Sequence, residues 1–328
     1  MQQLAPVTLA SLQERIEPQL EAAYDELCRI VVTDFPLVTD VNSHLLRLKG
    51  KMFRPTLLLL SAEAVGGGSK REETLAATVE LIHLATLVHD DSVDHSVLRR
   101  GQPTVNSAFS HQVAVIMGDY LYSRAILALV SLDDPRPLQV MAMVTNEMTI
   151  GEMRELDAFD RLSYDQESYD ALIRSKTASL MSGACEVGAL AGDGEHREYL
   201  KRYGMLLGMA FQVTDDVIDY TESESVTGKP SGLDLREHKV TLPLIAALPN
   251  MSASERALVN GLMADPEPSE DVIAAVVDVV SENGGIGAAR DRAAGLARDA
   301  ARELEHVPDG VAKEGLRDCL TYAIERHS

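Results

Sequence analysis

The amino-acid sequence predicts an all-α protein in which about ten or more helices form one domain over residues 1–328. Three observations carry this expectation. Apolar residues recur at intervals of three and four through most of the chain, alternating Val/Ile/Thr runs are few, and Gly or Pro punctuation cuts the sequence into helix-length segments. Composition agrees. Hydrophobic residues make up 45% and charged residues 25%, but aromatics only 4% with no Trp, so packing must rest on Leu, Ala, Val, Ile and Met, a mix that suits helices.

Taken in order, the N-terminal MQQLAPVTLASLQERIEP lacks the basic start and apolar run of a signal peptide. No segment approaches the roughly 20 apolar residues of a membrane span. Gly50 to Pro55 introduces an apolar helix, with Pro55 suited to its first turn. From Glu72 to Asp94 the apolar positions Leu75, Val79, Ile82, Ala85 and Thr86 recur without a Gly or Pro between them, which predicts one long helix. A second long helix runs from Tyr199 to about Asp219, with Gly204 and Gly208 making one face small. Breaks fall at Gly66-Gly67-Gly68, Arg99 to Pro103, Asp133 to Pro137, Gly192 to Gly194, Gly228 to Gly232, Pro249, and Asp265 to Pro268. From Asp271 the chain is Ala-rich and amphipathic, broken at Asn283-Gly284-Gly285 and Pro308-Asp309-Gly310, and reads as scaffold or interface.

The net charge of −21 argues against nucleic acid and anionic membrane surfaces as general partners. An anionic substrate must therefore be met by a local basic cluster or by bound metal. Cys28, Cys185 and Cys319 are far apart and form no CxxC pair, so a reducing cytoplasm fits better than a disulfide framework or a zinc site. Transient contact with a membrane stays open.

Chemistry concentrates at two helix ends. His89-Asp90-Asp91-Ser92-Val93-Asp94 closes the first long helix, and Gln212 to Asp219, with Asp215, Asp216 and Asp219, closes the second; both read D-D-x-x-D. Aspartates four apart share a helix face, and three carboxylates near the negative end of a helix dipole repel one another. Bound cations would relieve that repulsion. A single such motif in an acidic chain is as easily a solvated helix end, but here each follows an apolar helix directly and is followed by basic residues, Arg99 and Arg100 or Lys229. Hard oxygen ligands without a His or Cys cluster suit Mg²⁺, which bridges carboxylates to phosphates; Ca²⁺ is the weaker alternative, as neither motif has EF-hand spacing. A second anion site is suggested by Gly50, Lys51 and Arg54, together with His83, two turns before Asp90, and Arg100.

The ordered set GKxxRP, ExxH before HDDxxD, RRGxPT, KTA, FQxxDD and GKPxGxDLxxxKxTLPL resembles the trans-isoprenyl diphosphate synthases, the farnesyl, geranylgeranyl and longer polyprenyl enzymes. It runs from about Leu48 to Leu248 and more faintly to Arg326. The resemblance implies an isoprenoid-synthase-type bundle around a central apolar cleft, with isopentenyl diphosphate and an allylic diphosphate as substrates. Asp90, Asp94 and Asp215 would hold three Mg²⁺ against an allylic diphosphate, with Asp91, Asp216 and Asp219 as supporting ligands. Arg99, Lys176, Lys239 and Lys229 would add positive charge to that diphosphate. Isopentenyl diphosphate would lie on Gly50, Lys51, Arg54, His83 and Arg100, while Thr177 and Gln212 would orient the reacting carbons. The chain departs from the family pattern at Lys49, where Gly is usual, at Glu155, where Gln is usual, and at His238, where Gly is common.

Product length should follow the depth of the apolar cleft below the first aspartates. Ala85 and Thr86, then Ile82, then Val79 stand one, two and three turns before Asp90, and no aromatic residue lies between Phe53 and Phe109. Small residues there favour a product longer than farnesyl. Geranylgeranyl or farnesyl diphosphate is the shorter alternative. A class I terpene cyclase has no use for the second basic site, and a non-catalytic subunit of a heteromeric synthase would lose the motifs kept here. The resemblance also implies a homodimer.

Overall fold

The computed structural model describes residues 7–47, 50–158, 162, 164–192, 194–222 and 232–326. It is all-α, apart from one small hairpin among the described residues. The first half contains α1 (Leu9–Gln13), α2 (Glu17–Ile30), α3 (Pro36–Leu46), α4 (Phe53–Ala64), α5 (Arg71–Val93), α6 (Val105–Ala108) and α7 (His111–Val130). There follow α8 (Pro135–Ala158), α9 (Gln166–Ile173), α10 (Ser179–Ala191) and α11 (Arg197–Thr221). Helices at Ala253–Ala264, Glu270–Glu282, Gly285–Glu303 and Val311–Glu325 complete the C-terminal region, broken where the Asn-Gly-Gly and Pro-Asp-Gly signals lie.

Local chemistry explains the starts. Pro36 and Pro135 open α3 and α8 at the first position, where a missing N–H costs nothing. Ser110 caps α7 by accepting from the Val113 N–H, Asp165 caps α9, and Ser252 with Glu255 forms a full capping box. Arg71–Val93 has no Gly or Pro and carries Glu72 and Glu73 in its first turn, where the helix dipole favours acids.

Contacts group the chain into two compact units whose segments alternate along the sequence. The first comprises Met1–Thr145, Leu180–Gly204 and Glu303–Cys319. At its centre α5 packs against α2, α4 and α7, so residues 75 to 82 are buried on every side of the helix. The second comprises Asn146–Ser179, Met205–Arg302 and Leu320–Ser328. Tyr169, Ile173, Met209, Val213, Val217, Ala293 and Leu296 form one core in it, and Tyr220, Leu235, Leu244, Leu262, Ile273 and Val276 belong to another.

One sequence expectation needs correction. By length and composition α7 is apolar enough to cross a membrane, although no apolar stretch of that length stands out in the sequence. It mixes Asp119 and Arg124 with apolar residues, and it packs on α5 more extensively than any other helix in its unit, burying Ala114, Met117, Leu121, Ala125 and Leu129.

Candidate active site

In the first unit, α5 ends with the acidic motif. The Asp94 N–H closes the last turn onto the Asp90 carbonyl at 2.8 Å, which sets the two side chains one turn apart on one face. Asp94 is exposed, Asp90 half-buried and Asp91 buried. Arg99 holds the Asp91 carboxylate with Nε at 2.9 and 2.8 Å from its two oxygens and Nη2 at 2.8 Å. A two-residue hairpin delivers that arginine. Leu98–Arg99 pairs with Gln102–Pro103, and the intervening Arg100 and Gly101 both have positive φ, 51° and 75°, as a type I′ turn requires.

The basic residues gather around Glu80. Arg54 stands in the first turn of α4, while Glu80 and His83 lie on the buried middle of α5. Burial pulls the Arg54 guanidinium down from its ordinary value, Glu80 works to raise it, and Arg100 lowers it further. Burial likewise raises the Glu80 carboxyl, against the pull of Arg54 and Arg100. His83 is pushed well below 6.5, first by burial and then by Arg54, Arg99 and Arg100, so it is a neutral hydrogen-bonding group at pH 7. Two guanidinium groups, Arg54 and Arg100, thus share the Glu80 carboxylate, an excess of positive charge. The buried Arg54 Nε has no hydrogen-bond partner among the described residues, so an N–H is available to an anion. Gly50 belongs to the same cluster: a Cβ there would come within 2.6 Å of Glu80 Oε1. Lys51 is exposed beside it, and its carbonyl accepts from Gln13 Nε2 at 2.8 Å.

The second unit holds the other motif at the end of α11. Asp215 is exposed and accepts from Arg326 Nη2 at 3.0 Å; the Arg326 guanidinium stacks 3.6 Å above the Phe211 ring and donates to the Phe211 carbonyl. Asp216 is buried, accepting from the Tyr169 hydroxyl and from Gln212 Nε2 at 2.8 Å. Burial pushes its carboxyl up to about 7, although both hydrogen bonds oppose the shift and the neighbouring Asp215 and Asp219 add to it. Asp219 accepts the backbone N–H of Leu233 and of Asp234, each at 3.1 Å, and so caps the short helix Leu233–Arg236. Asp234 is pushed well above 3.8, by burial and then by Asp219 and Asp216.

Lys176 and Thr177 project from a single π-helical turn, Arg174–Ala178, between α9 and α10. Such turns contain one extra residue and re-aim side chains at functional sites. Thr177 donates to Gln212 Oε1 at 2.8 Å, linking the KTA segment to α11. Lys176 Nζ meets Glu152 at 3.1 Å and Glu155 more closely; Lys239 Nζ lies 2.9 Å from Glu237 and 3.9 Å from Glu155. Lys229 lies outside the described residues. His238, by contrast, adopts φ 54° and bonds the Asp265 carbonyl, which accounts for glycine being common at that position.

Val79, Ile82 and Ala85 are buried in the interior of the first unit, and Thr86, half-buried, turns its hydroxyl onto the His83 carbonyl. Among the described residues no three His, Cys, Asp or Glu side chains converge closely enough to hold a metal by themselves. The donor set nevertheless suits Mg²⁺, which dehydrates reluctantly and fills most of its shell with water and phosphate oxygens around one or two carboxylates. Asp216 is raised first by burial and then by the neighbouring Asp215 and Asp219, a repulsion that cations at the motif would offset.

Sequence reasoning assigned no role to Tyr169, Asp234 or Arg326, nor to Glu80 and Glu155, although Glu80 stands in the ExxH pattern and Glu155 among the departures from the family pattern. Asp234 had a signal, because it is the acid of the DL pair in the long Gly-Lys-Pro motif. Tyr169 and Arg326 had none, since they meet their aspartates from 47 and 111 residues away.

The family described as polyprenyl synthetase matches residues 35–280. An all-trans-nonaprenyl-diphosphate synthase (geranyl-diphosphate specific) of Rhodobacter capsulatus is 38% identical over 88% of this chain and 89% of its own. Heptaprenyl diphosphate synthase component 2 of Geobacillus stearothermophilus is 34% identical over 97% of this chain and 99% of its own. The crystal structure of a polyprenyl synthase from Caulobacter crescentus CB15, complexed with calcium and isoprenyl diphosphate, superposes with a TM-score of 0.93 at 30% identity, covering 99% of this chain and 100% of that one. With two acidic helix ends and a basic cluster on an all-α fold, the chain belongs to the polyprenyl synthetases, the trans-isoprenyl diphosphate synthase family.

Proposed function

We propose that this protein condenses isopentenyl diphosphate with an allylic diphosphate, dependent on Mg²⁺, to make an all-trans polyprenyl diphosphate longer than farnesyl. The observation that carries this reading is the guanidinium pair of Arg54 and Arg100 around Glu80, beside a neutral His83 that Arg99 also faces, a basic anion receptor in a chain of net charge −21. A synthase needs two diphosphate sites, one of them free of metal. In this reading Gly50, Lys51, Arg54, His83 and Arg100 bind isopentenyl diphosphate. Asp90, Asp94 and Asp215, supported by Asp91, Asp216 and Asp219, would hold three Mg²⁺ for the allylic diphosphate.

Magnesium, when bound, supplies the charge neutralisation that makes diphosphate a leaving group. The remaining work falls to side chains. Arg99, Lys176, Lys239 and Lys229 bind oxygens of the departing diphosphate, in positions set before the C–O bond breaks. Gln212 is oriented by Thr177 on one side and Asp216 on the other, so its amide dipole is fixed for the cationic carbons. The isopentenyl double bond attacks the allylic cation, and the released diphosphate takes the proton. Buried Val79, Ile82 and Ala85 on α5 carry no large ring, which supports the longer product.

Exposed Ile116, Leu127 and Val130 on α7, with Met143, Ile150, Met153 and Leu156 on α8, support a homodimer. Three free cysteines support a cytoplasmic location. A second reading, in which a dissimilar subunit is required, is favoured by the relative named as component 2 of its synthase. Purified chain with isopentenyl diphosphate, Mg²⁺ and dimethylallyl, geranyl, farnesyl or geranylgeranyl diphosphate separates the possibilities. Elongation past farnesyl, abolished by chelation, is the expected result. No product from any primer would remove the reading, or leave only the heteromeric one if a second subunit restored activity.

A further inference from the structure

Of the three lysines assigned to the allylic diphosphate, Lys176 and Lys239 are not presented bare. Glu152 and Glu155, three apart on one face of α8, both reach Lys176. Glu155 also reaches across: its Oε2 holds Lys176 while its Oε1 lies 3.9 Å from Lys239, whose other partner is Glu237 at 2.9 Å. Among the described residues two ammonium groups therefore face three carboxylates, Glu152, Glu155 and Glu237. Burial works to lower the Lys239 ammonium, yet Glu155, Glu237 and Asp234 hold it above its ordinary value, a sign of strong coupling to the acids.

We infer that Glu155 is a positioning residue that bridges Lys176 and Lys239 and makes capture of the allylic diphosphate conditional on bound metal. The inference rests on the function proposed above. A bare diphosphate, carrying about three negative charges, must displace or sit beside carboxylates already paired to both lysines, whereas a metal-neutralised diphosphate meets far less repulsion. The pairs are partly exposed, with side-chain exposures of 26% for Lys176 and Glu155 and 35% for Lys239, so screening limits the effect to a few-fold.

The test uses the full chain, inorganic diphosphate as probe, and Glu155→Gln, which keeps an oxygen for the lysines but removes the charge. Titration calorimetry is run in EDTA and in Mg²⁺, alongside steady-state KM and kcat for the allylic substrate. The expected result is about five-fold tighter diphosphate binding by the variant in EDTA, a smaller gain in Mg²⁺, and a lower allylic KM with no matching change for isopentenyl diphosphate. Glu237→Gln should move the same readings in the same direction by less. Circular dichroism checks that both variants are folded, and if Glu155→Gln is not, Glu237→Gln decides. Equal diphosphate affinity of folded variants and parent in EDTA overturns the inference alone. Failure of the parent to bind diphosphate even in Mg²⁺ overturns it together with the proposed function.

Discussion

At the scale of single residues, each acidic motif divides its labour. Asp91 is committed to Arg99, Asp216 to Tyr169 and Gln212, and Asp219 to the backbone of Leu233 and Asp234, whereas Asp90, Asp94 and Asp215, the last paired with Arg326, are the more accessible carboxylates. Replacing Asp90 or Asp215 with Ala should cut condensation by about a thousandfold or more; the Asp90 variant should keep a thermal transition near that of the parent, since Asp90 is not buried, whereas Asp215→Ala also removes the carboxylate partner of the buried Arg326 side chain. A near-normal rate in a radiolabelled isopentenyl transfer assay would remove the metal assignment. The sequence disclosed these aspartates because four-residue spacing at the end of an apolar helix is a local pattern. It could not disclose which of them are committed to protein partners, because Arg326 and Tyr169 arrive from remote segments.

At the scale of elements, α5 carries both the first motif and the residues expected to limit product length. Filling Ala85 with Phe should shorten the main product, as resolved by reverse-phase chromatography of the dephosphorylated alcohols, and an unchanged length would reject α5 as the floor. Ala85 is buried, so the variant also tests how far its surroundings adjust. The entry of α5 is tied down by charge. Arg71, its first residue, and Arg136 on α8 both donate to Asp134. Arg136 and, against the effect of burial, Arg71 hold the Asp134 carboxyl far below 3.8. The native state therefore binds fewer protons than the unfolded chain below that value, so this stabilisation is complete above about pH 4 and is lost as pH falls further. Asp134→Asn should lower stability at pH 7 by about 1 kcal/mol, a shift of roughly 2 °C in Tm, and calorimetric scans should show the gap narrowing toward pH 3. An equal gap at both pH values would exclude the ionic contribution. Both long helices were legible from apolar periodicity. The hairpin and the π-helical turn were not, because Arg-Arg-Gly-Gln and Arg-Ser-Lys-Thr-Ala carry no periodic signal.

At the scale of the whole molecule, a net charge of −21 means that anionic substrates approach against the average field. Local cations must then do all the attracting, which places the burden on the cluster around Arg54 and on the lysines of the second unit. The proposed homodimer would cover exposed apolar residues of α7 and α8. Light scattering should report a dimer, and Ile116→Asp or Met153→Asp should shift it toward monomer, both sites being more than half exposed in the single chain. A parent protein that is monomeric at micromolar concentration would refute the assembly. The π-helical turn at Arg174–Ala178 also bears on how this chain tolerates change in length. It is a one-residue insertion absorbed inside continuous helix, so deleting a single residue there would yield a regular, well-formed α-helix. Lys176 and Thr177 would then rotate by about 100° relative to the residues on one side of the deletion. A substitution survey would miss this hazard, because the lost activity would come from a helix that had become more ordinary.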